Sequence, residues 1–428
     1  MKRVAPAYSA PVAVFDDYWA TTLAFARSLG RQGVPLHFYG RGAGRWSRYR
    51  TLRQNCPPVE NTGEFQPWLQ ERIRSGEISR IAPTTDLIAF YTSVLRDDFA
   101  PGVRRTIAPL AEIENCLIKT RFAAAVALFG QPSLSTAAPD SVEGAVAAAG
   151  SLGYPVMLKP KSHLAVGFKE RGRLICDEAD LKYQFRRYAV PPGQEGIAAA
   201  YPELSWPLLQ RYLPSARNRV YSVSGIKDAD GGVVIAAVSY KHEQWPPDVG
   251  VSTVQVACDD RRILDAGLNV VDKLLSCGIF EVELLEEEDV LYAIDLNPRA
   301  FGFIELDIAR GADLPWLWYQ STFDMQRPAA SLPPAALEAR HRFRHLLDAL
   351  AFKRRRSAAA SDERSNPDRP RASVSMVGHW SDPVPMIISN LQLLRHPRSL
   401  LRSQLALLLS GRGNKPEVPG ANAPPTNS

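Results

Sequence analysis

The segment 278–299 holds the side chains whose types and spacing are best suited to chemistry. Two runs rich in β-branched and aromatic residues flank an acidic cluster, a pattern that predicts a β-hairpin. The second strand should end before Pro298, because proline has no backbone N–H to donate to a neighbouring strand. Asp295 and Asn297 would then close that strand, with Arg299 just beyond it. Polar residues at these positions favour a functional site over an ordinary strand end.

Glu283 and Asp295 lie an even number of residues apart. Because side chains alternate between the two faces of a strand, both carboxylates share a face only if the turn holds an odd number of residues. A turn centred on Glu288 meets this condition, and it places Glu281 opposite Asp295 with Glu283 on the diagonal. The four acids at the tip, residues 286–289, are interpreted as a solvated turn without a role.

Two carboxylates and an amide oxygen on one face are hard oxygen ligands, suited to a Mg²⁺ ion that also binds substrate phosphates. The candidate ligands are Glu283, Asp295 and Asn297. Arg299 follows on the same side and can bind an anion bidentately. The alternative, a solvated acidic hairpin on an ordinary sheet, accounts less well for three polar residues at the end of a strand.

A chain of 428 residues is too long for one hydrophobic core, so two or three domains are expected. No stretch approaches the roughly 18 apolar residues of a membrane-spanning helix, and the N-terminus does not resemble a signal peptide. The cysteines are scattered and form no C-x-x-C pair, which argues against a zinc site and indicates a reducing, cytoplasmic compartment. They are Cys56, Cys116, Cys176, Cys258 and Cys277.

The formal net charge of +6 is unevenly distributed. From Ser331 onward there are 15 Lys and Arg against 7 Asp and Glu, an excess of +8, so the rest of the chain carries −2. The basic character therefore belongs to the C-terminal tail. Nucleic-acid binding is disfavoured, because these basic residues have no aromatic platform beside them.

The elements that must position the hairpin begin with a βαβ unit. Apolar runs at residues 11–15 and 34–39 predict strands, and helical spacing at 20–29 predicts the helix between them. Such a unit implies a parallel sheet with a right-handed crossover. A further strand near residues 78–82 should belong to the same sheet.

Asp86 ends a Pro-Thr-Thr-Asp sequence directly after that last strand. Ligands of parallel sheets collect at the carboxyl ends of the strands, which makes Asp86 a candidate substrate contact. It is equally a candidate N-cap of the following helix, and both interpretations stay open. No G-x-G-x-x-G sequence is present, so a dinucleotide fingerprint is absent.

The middle of the chain mixes helices with antiparallel strands, the pattern of an α+β domain. Lys119 lies within a helical stretch, whereas Lys159 ends a short apolar strand before a polar loop. A strand-end lysine beside such a loop can direct an ammonium at phosphate while loop amides bind the oxygens. Gln210 interrupts an apolar strand, and Lys241 is expected at the end of a strand at 231–240.

The C-terminal tail divides into two parts. Residues 353–373 are charged, low in complexity and proline-bearing, and are interpreted as a mobile linker. Residues 383–409 combine apolar side chains with interleaved arginines, which is typical of a docking helix or of a helix on a membrane surface. A loosely attached tail is therefore expected, and docking on the protein and peripheral membrane contact both stay open for its second part.

Together these motifs resemble the ATP-grasp superfamily, and more narrowly its predicted carboxylate–amine ligases, whose N-terminal domains carry a P-T-x-D element like that at residues 83–86. The resemblance implies an α/β plus α+β architecture. Residues 1–116 would form a Rossmann-like pre-ATP-grasp domain, and residues 117–325 an ATP-grasp domain with ATP between two subdomains. Residues 326–428 would form the basic C-terminal extension.

The resemblance also implies the nucleotide contacts. Lys119 and Lys159 would bind the α- and β-phosphates of ATP. Gln210 would contact the adenine amino group, and the backbone of Arg211 and Leu213 would complete the adenine site.

The same resemblance gives roles to the hairpin residues. Glu283, Asp295 and Asn297 would bind Mg²⁺, commonly as two ions, with Mn²⁺ as a substitute. Arg299 would neutralise charge on the transferring phosphoryl group and on the acyl phosphate. Lys241 would reach the γ-phosphate or the substrate carboxylate.

The function implied is an ATP-dependent ligase that activates a carboxylate as an acyl phosphate and joins it to an amine, with small-molecule substrates and release of ADP and phosphate. One alternative is a non-catalytic ATP-binding module that docks through its basic tail. It is favoured by Leu117 and Ile118, where the family usually has an acidic residue, and by few arginines around Tyr240. The other is an ATP-grasp enzyme with a bicarbonate or thiol acceptor.

Overall fold

The computed structural model describes residues 9–15, 19–164, 172–189, 196–217, 219–245, 250–323, 337–340, 372–375 and 378–394. Within these residues the strands form a three-stranded, a four-stranded and a seven-stranded sheet. In chain order the strands are β1 (Val12–Phe15), β2 (Leu36–Tyr39), β3 (Leu52–Gln54), β4 (Thr136–Ala137), β5 (Val156–Lys159), β6 (Arg173–Ile175), β7 (Leu208–Arg211), β8 (Val220–Lys227), β9 (Val233–Trp245), β10 (Val251–Cys258), β11 (Gly278–Glu287), β12 (Val290–Asn297), β13 (Leu337–Arg340) and β14 (Ala372–Ser375). The helices are α1 (Trp19–Arg31), α2 (Thr62–Arg74), α3 (Asp86–Val94), α4 (Pro101–Arg104), α5 (Leu110–Leu117), α6 (Lys119–Leu128), α7 (Val142–Leu152), α8 (Glu178–Arg187), α9 (Ile197–Ala200), α10 (Arg261–Leu274), α11 (Ile304–Ala309), α12 (Leu314–Ser321) and α13 (Val384–Leu394).

The N-terminal sheet is parallel and has the order β1-β2-β3. Helix α1 connects β1 to β2, so the predicted βαβ unit is present. The strand predicted near residues 78–82 is reduced to a single parallel bridge between Ile81 and Ala13. That bridge still brings the following Pro-Thr-Thr-Asp segment to the carboxyl end of β1.

One hydrophobic core joins this sheet to the hairpin β11–β12. Phe15 of β1, Ile88 of α3, Phe122 of α6 and Phe280 of β11 are all buried within it. Burial of each such side chain contributes about 1.5–3 kcal/mol. Helices α3, α5 and α6 are therefore fixed against the hairpin, and with them Asp86 at the start of α3.

The seven-stranded sheet has the order β12-β11-β8-β9-β10-β13-β14. The amphipathic helix α10 packs against its face, with Ile263, Val270 and Val271 fully buried. Gly267 allows the close approach of α10 to β8, because a Cβ atom there would lie 2.4 Å from Val223 Cγ2. A larger residue at this position would push the helix off the strand that supports the hairpin.

The hairpin turn differs from the prediction. Glu288 and Asp289 both have positive φ angles, 47° and 63°, and form a two-residue turn of the kind favoured by the twist of antiparallel strands. The predicted turn of odd length centred on Glu288 is therefore wrong. Glu281 pairs with Asn297, and not with Asp295.

A β-bulge at Ile294 places the carboxylates of Glu283 and Asp295 on the same face of the hairpin despite the two-residue turn. The pairing shifts by one residue between Leu284–Ala293 and Glu283–Asp295, so Ile294 has no partner on β11. An extra residue in one strand reverses which face later side chains occupy. Glu283 and Asp295 are consequently direct cross-strand neighbours on one face.

The bulge coincides with a contact on the outer edge of β12. The backbone N–H of Ala293 donates to the carbonyl of Pro132 at 2.9 Å, and Ser133 bridges Ala293 in parallel. The bulge therefore lies beside this edge contact, and β12 remains paired with β11 on both sides of it. Beyond it, β12 ends at Asn297, immediately before Pro298, as predicted.

The four-stranded sheet has the order β4-β7-β5-β6, and α7 and α8 pack against it. Strands β5 and β7 are antiparallel, with Met157 opposite Gln210 and Lys159 opposite Leu208. The end of β5 therefore places Lys159 beside the strand that carries Gln210.

Three local expectations need correction. Lys241 lies within the long strand β9 and not at its end. Lys119 is the first residue of α6, because the helical stretch breaks at Ile118. Asp86 is not the N-cap of α3, since that position is Thr85, whose side chain accepts a hydrogen bond from Ile88 N–H.

The described parts of the C-terminal extension are attached to the body. Strands β13 and β14 extend the seven-stranded sheet beyond β10. Asp382, which is buried, accepts hydrogen bonds from Ser47 Oγ at 2.7 Å and Arg48 N–H at 2.9 Å. The expectation of a loosely attached tail is therefore wrong for these residues. Most of the predicted linker, 353–371, and residues 395–428 lie outside the described residues.

No described helix is long and apolar enough to cross a membrane.

Candidate active site

Two adjoining cavities lie between the four-stranded sheet, the hairpin and the N-terminal segment. The smaller cavity has a volume of about 110 Å³ and the larger about 210 Å³. The smaller cavity is lined by all ten residues to which the family resemblance gives roles: Lys119, Lys159, Gln210, Arg211, Leu213, Lys241, Glu283, Asp295, Asn297 and Arg299. Both cavities share His163, Lys241, Glu283, Asn297 and Arg299.

Two lysine–carboxylate pairs cross the smaller cavity. Lys119 Nζ lies 2.8 Å from Asp295 Oδ2, and Lys241 Nζ lies 2.9 Å from Glu283 Oε1. Burial alone would raise the pKa of Asp295, but the charge and hydrogen bond of Lys119 lower it below its usual value. Asp295 is therefore ionised at neutral pH, and both carboxylates are arranged to hold cations.

Lys159 is the third lysine of the cavity, and it is paired differently. Its Nζ donates to Gln210 Oε1 at 3.0 Å, and Gln210 Nε2 donates to Thr136 Oγ1 at 3.2 Å. Burial, with a smaller contribution from the charge of Lys119, lowers the pKa of Lys159 to about 8. An anion at this position would stabilise the charged form of the amine and raise its pKa again.

Arg299 stands where the two cavities meet. Its Nε donates to Asp86 Oδ1 at 2.7 Å and its NH2 donates to Asn297 Oδ1 at 2.9 Å. Burial opposes ionisation of Asp86, but the charge and hydrogen bond of Arg299 lower the pKa of Asp86 to about 2. Two interpretations were left open for Asp86, a substrate contact and a helix N-cap. Its position in the lining of the larger cavity agrees with the substrate contact.

Glu281 is part of the site although the sequence reasoning gave it no role. It lines the larger cavity and accepts hydrogen bonds from Ser222 Oγ at 2.8 Å and Asn297 Nδ2 at 2.6 Å. Burial, followed by the nearby charge of Glu283, raises the pKa of Glu281 to about 7. Its spacing of two residues before Glu283 was the available signal, because alternate residues of a strand share a face.

The larger cavity contains other residues that the sequence did not indicate. Aromatic residues follow the hairpin directly, and Phe301 and Phe303 line the wall beside Arg299. Ser252 of β10 and Thr85 line other parts of it. The combination of charged groups, hydroxyls and aromatic rings suits a small organic substrate with a charged end.

The tip of the hairpin is not uniformly solvated. Glu288 and Asp289 are exposed as predicted, but Glu286 is buried and paired with Arg262, with Arg219 NH1 3.7 Å away. Tyr221 donates a further hydrogen bond to Glu286 at 3.2 Å. The prediction of a wet tip is wrong for Glu286, because β8 and α10 both approach it.

A divalent cation fits the donor set at the open end of the hairpin. Within the described residues, no three His, Cys, Asp or Glu side chains are arranged to hold a metal ion. Glu283, Asp295 and Asn297 offer two carboxylates and an amide oxygen, which matches an ion that completes its coordination with water and phosphate oxygens.

The smaller cavity has an apolar end. Leu134, Leu213, Leu285 and Ile294 line it, and Leu134, Leu213 and Leu285 belong to one small buried cluster. A flat heterocyclic base could pack between such side chains while backbone groups of β7 contact its edge.

No family model matches the chain. Among curated proteins, the carbamoyl phosphate synthase large chain of Hyperthermus butylicus is 25% identical over 256 residues, which cover 55% of this chain. The match covers 22% of that relative's length.

Solved structures show a clearer likeness. N5-carboxyaminoimidazole synthetase from Staphylococcus aureus complexed with ADP has a TM-score of 0.58 at 13% identity, covering 76% of this chain and 80% of that chain. Biotin carboxylase from Campylobacter jejuni has a TM-score of 0.56 at 15% identity, with 74% and 72% covered. L-amino acid ligase from Bacillus licheniformis has a TM-score of 0.54 at 14% identity, with 74% of each chain covered. These neighbours are ATP-grasp ligases, and this chain has the ATP-grasp fold.

Proposed function

We propose that the chain is an ATP-dependent ligase that activates a carboxylate as an acyl phosphate and joins it to an amine, releasing ADP and phosphate. The observation that carries this proposal is the convergence of four cationic side chains with two carboxylates and an amide in adjoining cavities. They are Lys119, Lys159, Lys241, Arg299, Glu283, Asp295 and Asn297. Nothing in this reaction requires a nucleophilic side chain.

The nucleotide would occupy the smaller cavity. Its base would pack in the apolar end, with Gln210 and the backbone of Arg211 and Leu213 along its edge. Lys119 and Lys159 would bind the α- and β-phosphates. To do so Lys119 would exchange its pair with Asp295, and Lys159 its hydrogen bond to Gln210, for phosphate oxygens.

Mg²⁺ is the expected cofactor, held by Glu283, Asp295 and Asn297. When bound, it neutralises the charge that develops on phosphate oxygens during transfer. The pairs Lys119–Asp295 and Lys241–Glu283 balance the same charges in the ligand-free site. The lysines are thereby kept within reach of the phosphates.

The acid and the amine would occupy the larger cavity, against Phe301 and Phe303. A carboxylate oxygen attacks the γ-phosphorus of ATP, and the bond from that phosphorus to ADP breaks. The amine nitrogen then attacks the acyl carbon, and phosphate leaves with the oxygen that came from the acid. Arg299 and Lys241 line both cavities, so they can orient the acid and stabilise the oxygens that gain charge.

The proposal keeps the domain division predicted from the sequence. Residues 1–116 form the Rossmann-like domain and contribute Asp86, residues 117–325 form the ATP-grasp domain, and residues 326–428 form the extension. A cytoplasmic location is part of the same proposal.

A hydroxylamine screen tests this function, because hydroxylamine intercepts an acyl phosphate without the natural amine. Purified protein with Mg²⁺, ATP and hydroxylamine is incubated with pools of carboxylates, amino acids first. We expect one pool to give a hydroxamate together with ADP and phosphate, and Arg299→Ala to lose that signal. The matched control is Glu287→Gln on the hairpin tip, which should retain it. Formation of AMP and pyrophosphate would overturn the proposal, because it indicates an acyl adenylate.

A further inference from the structure

A continuous chain of hydrogen bonds runs from the seven-stranded sheet to the N-terminal segment. Ser222 Oγ donates to Glu281 Oε1 at 2.8 Å, and Asn297 Nδ2 donates to Glu281 Oε2 at 2.6 Å. Arg299 NH2 then donates to Asn297 Oδ1 at 2.9 Å, and Arg299 Nε donates to Asp86 Oδ1 at 2.7 Å. This series of hydrogen bonds links β8, β11 and β12 with the first residue of α3.

The chemistry of these groups fixes the orientation of Asn297. In the structure both oxygens of Glu281 accept hydrogen bonds, from Ser222 Oγ and from Asn297 Nδ2, which places the amide nitrogen of Asn297 on the side of Glu281. Arg299 can only donate, so it requires the amide oxygen on the other side. A flipped amide would face Glu281 with oxygen and Arg299 with nitrogen. Arg299 therefore selects the orientation in which Asn297 Oδ1 faces it, and the contact with Glu281 agrees with that orientation.

Asp86 and the backbone restrain Arg299 in a similar way. Its NH1 donates to the carbonyl of Ala300 at 2.7 Å, so three nitrogens of the guanidinium have acceptors within the protein. The backbone N–H of Ala300 also donates to the carbonyl of Pro83 at 2.9 Å. The segment that carries Asp86 is thus attached to the end of β12 by backbone and side-chain contacts together.

We propose that Asp86 and Glu281 are positioning residues that hold Arg299 and Asn297 in the geometry required for phosphoryl transfer. This inference rests on the proposed function. Asp86 fixes the plane of the guanidinium from the N-terminal side, and Glu281 fixes the amide from the side of the sheet. Neither residue needs to touch the reacting atoms for this role.

The first test separates rate from nucleotide binding. Asp86→Asn keeps the shape of the side chain and removes its charge, so kcat should fall about tenfold while the KM for ATP changes by about twofold or less. The control is Asp97→Asn, whose side chain is 89% exposed and lies outside both cavities. Equal losses in both variants, or a loss confined to KM, would overturn the proposal.

A double-mutant cycle then asks whether Asp86 acts through Arg299. The variant Arg299→Lys cannot make the same set of hydrogen bonds, so adding Asp86→Asn should lower kcat by less than about twofold further. Independent losses that multiply would contradict a positioning role. Glu281→Gln tests the second positioning residue. The substitution replaces one carboxylate oxygen with an amide nitrogen, so one of the acceptors beside Asn297 is lost.

The second test needs neither nucleotide nor turnover. In full-length protein labelled with ¹⁵N-arginine, the Nε–H signal of Arg299 is assigned by its disappearance in Arg299→Lys. Asp86→Asn should shift that signal upfield and accelerate its exchange with water, and Asp97→Asn should leave it unchanged. An unchanged signal in Asp86→Asn would overturn the proposal. If no acid supports turnover, the proposed function fails, yet this experiment still decides whether Asp86 holds Arg299.

Discussion

The two ends of the hairpin β11–β12 both carry buried acids, but they differ in what surrounds those acids. At the open end, Glu283 and Asp295 are paired with lysines, and their side chains are 19% and 23% exposed. At the tip, the side chain of Glu286 is 6% exposed and is paired with Arg262. Of these three acids the most buried is Glu286 at the tip, and Glu281, which lines the larger cavity, is buried to a similar degree.

Burial and pairing alone do not distinguish a functional carboxylate from a structural one. Glu286 lines neither cavity, and its partners Arg262 and Arg219 are about half exposed on the outside of the sheet. The partners of Glu283 and Asp295 are lysines that line the same cavity. When both members of an ion pair face a cavity, each can leave its partner and bind a ligand instead. The pair at the tip faces neither cavity and can only stabilise the fold.

The largest expected effect is at the open end. Asp295→Asn keeps the shape of the side chain but removes one charge from the proposed cation site, so Mg²⁺-dependent turnover should fall at least about a hundredfold. Glu283→Gln should behave alike. Release of ADP measures turnover, and circular dichroism should show that both variants remain folded. Turnover at the wild-type rate would remove these residues from the site.

A smaller effect is expected from pH. Only the protonated form of Lys159 can bind phosphate, and its pKa in the free protein is lowered to about 8. The affinity for a non-hydrolysable ATP analogue should therefore fall about tenfold between pH 7 and pH 9, with uptake of a proton on binding. Titration calorimetry in buffers of different ionisation enthalpy measures both quantities.

Lys159→Arg is the control for that pH dependence. Arginine stays protonated throughout this range, so the variant should bind the analogue with an affinity that changes little from pH 7 to pH 9. An equally steep pH dependence in the variant would assign the proton to another group.

At the tip, the expected effect is on stability and not on turnover. Glu286→Gln weakens charged hydrogen bonds to a partly exposed arginine, so the free energy of unfolding should fall by about 1 kcal/mol. Urea unfolding measures this change. A loss of turnover in a folded Glu286→Gln protein would show that the two ends of the hairpin are coupled.

The smallest effect is expected at Glu287, next to the exposed turn. Glu287→Gln should change neither the unfolding free energy nor the rate of ADP release by more than experimental error, because the pKa and contacts of the cavity residues do not involve it. A tenfold loss of rate would mean that acidic charge anywhere on the hairpin is sufficient to affect the site.

The sequence predicted which side chains meet, but not how the backbone brings them together. Glu283 and Asp295 share a face as expected, yet the odd turn that would have placed them there is absent. The bulge at Ile294 does the same task. It accompanies contacts of Ala293 with Pro132 and Ser133, which are distant in sequence and leave no local signal.

Long-range contacts explain the other differences as well. The burial of Glu286 depends on Arg262 and Tyr221, which come from other elements of the fold. Asp86 is paired with Arg299, more than two hundred residues later. Asp382 is fixed by Ser47 and Arg48, more than three hundred residues earlier. Periodicity and local motifs report on single elements, so such pairs appear only when the elements are assembled.

The most direct measurement of the central claim follows the oxygen atoms of the acid. The acid identified by the hydroxylamine screen is labelled with ¹⁸O in its carboxylate and incubated with protein, Mg²⁺, ATP and hydroxylamine. Through an acyl phosphate, one carboxylate oxygen leaves with the phosphate, so each turnover should yield phosphate with one ¹⁸O atom and unlabelled ADP. Label in AMP, or phosphate released without label, would contradict the account.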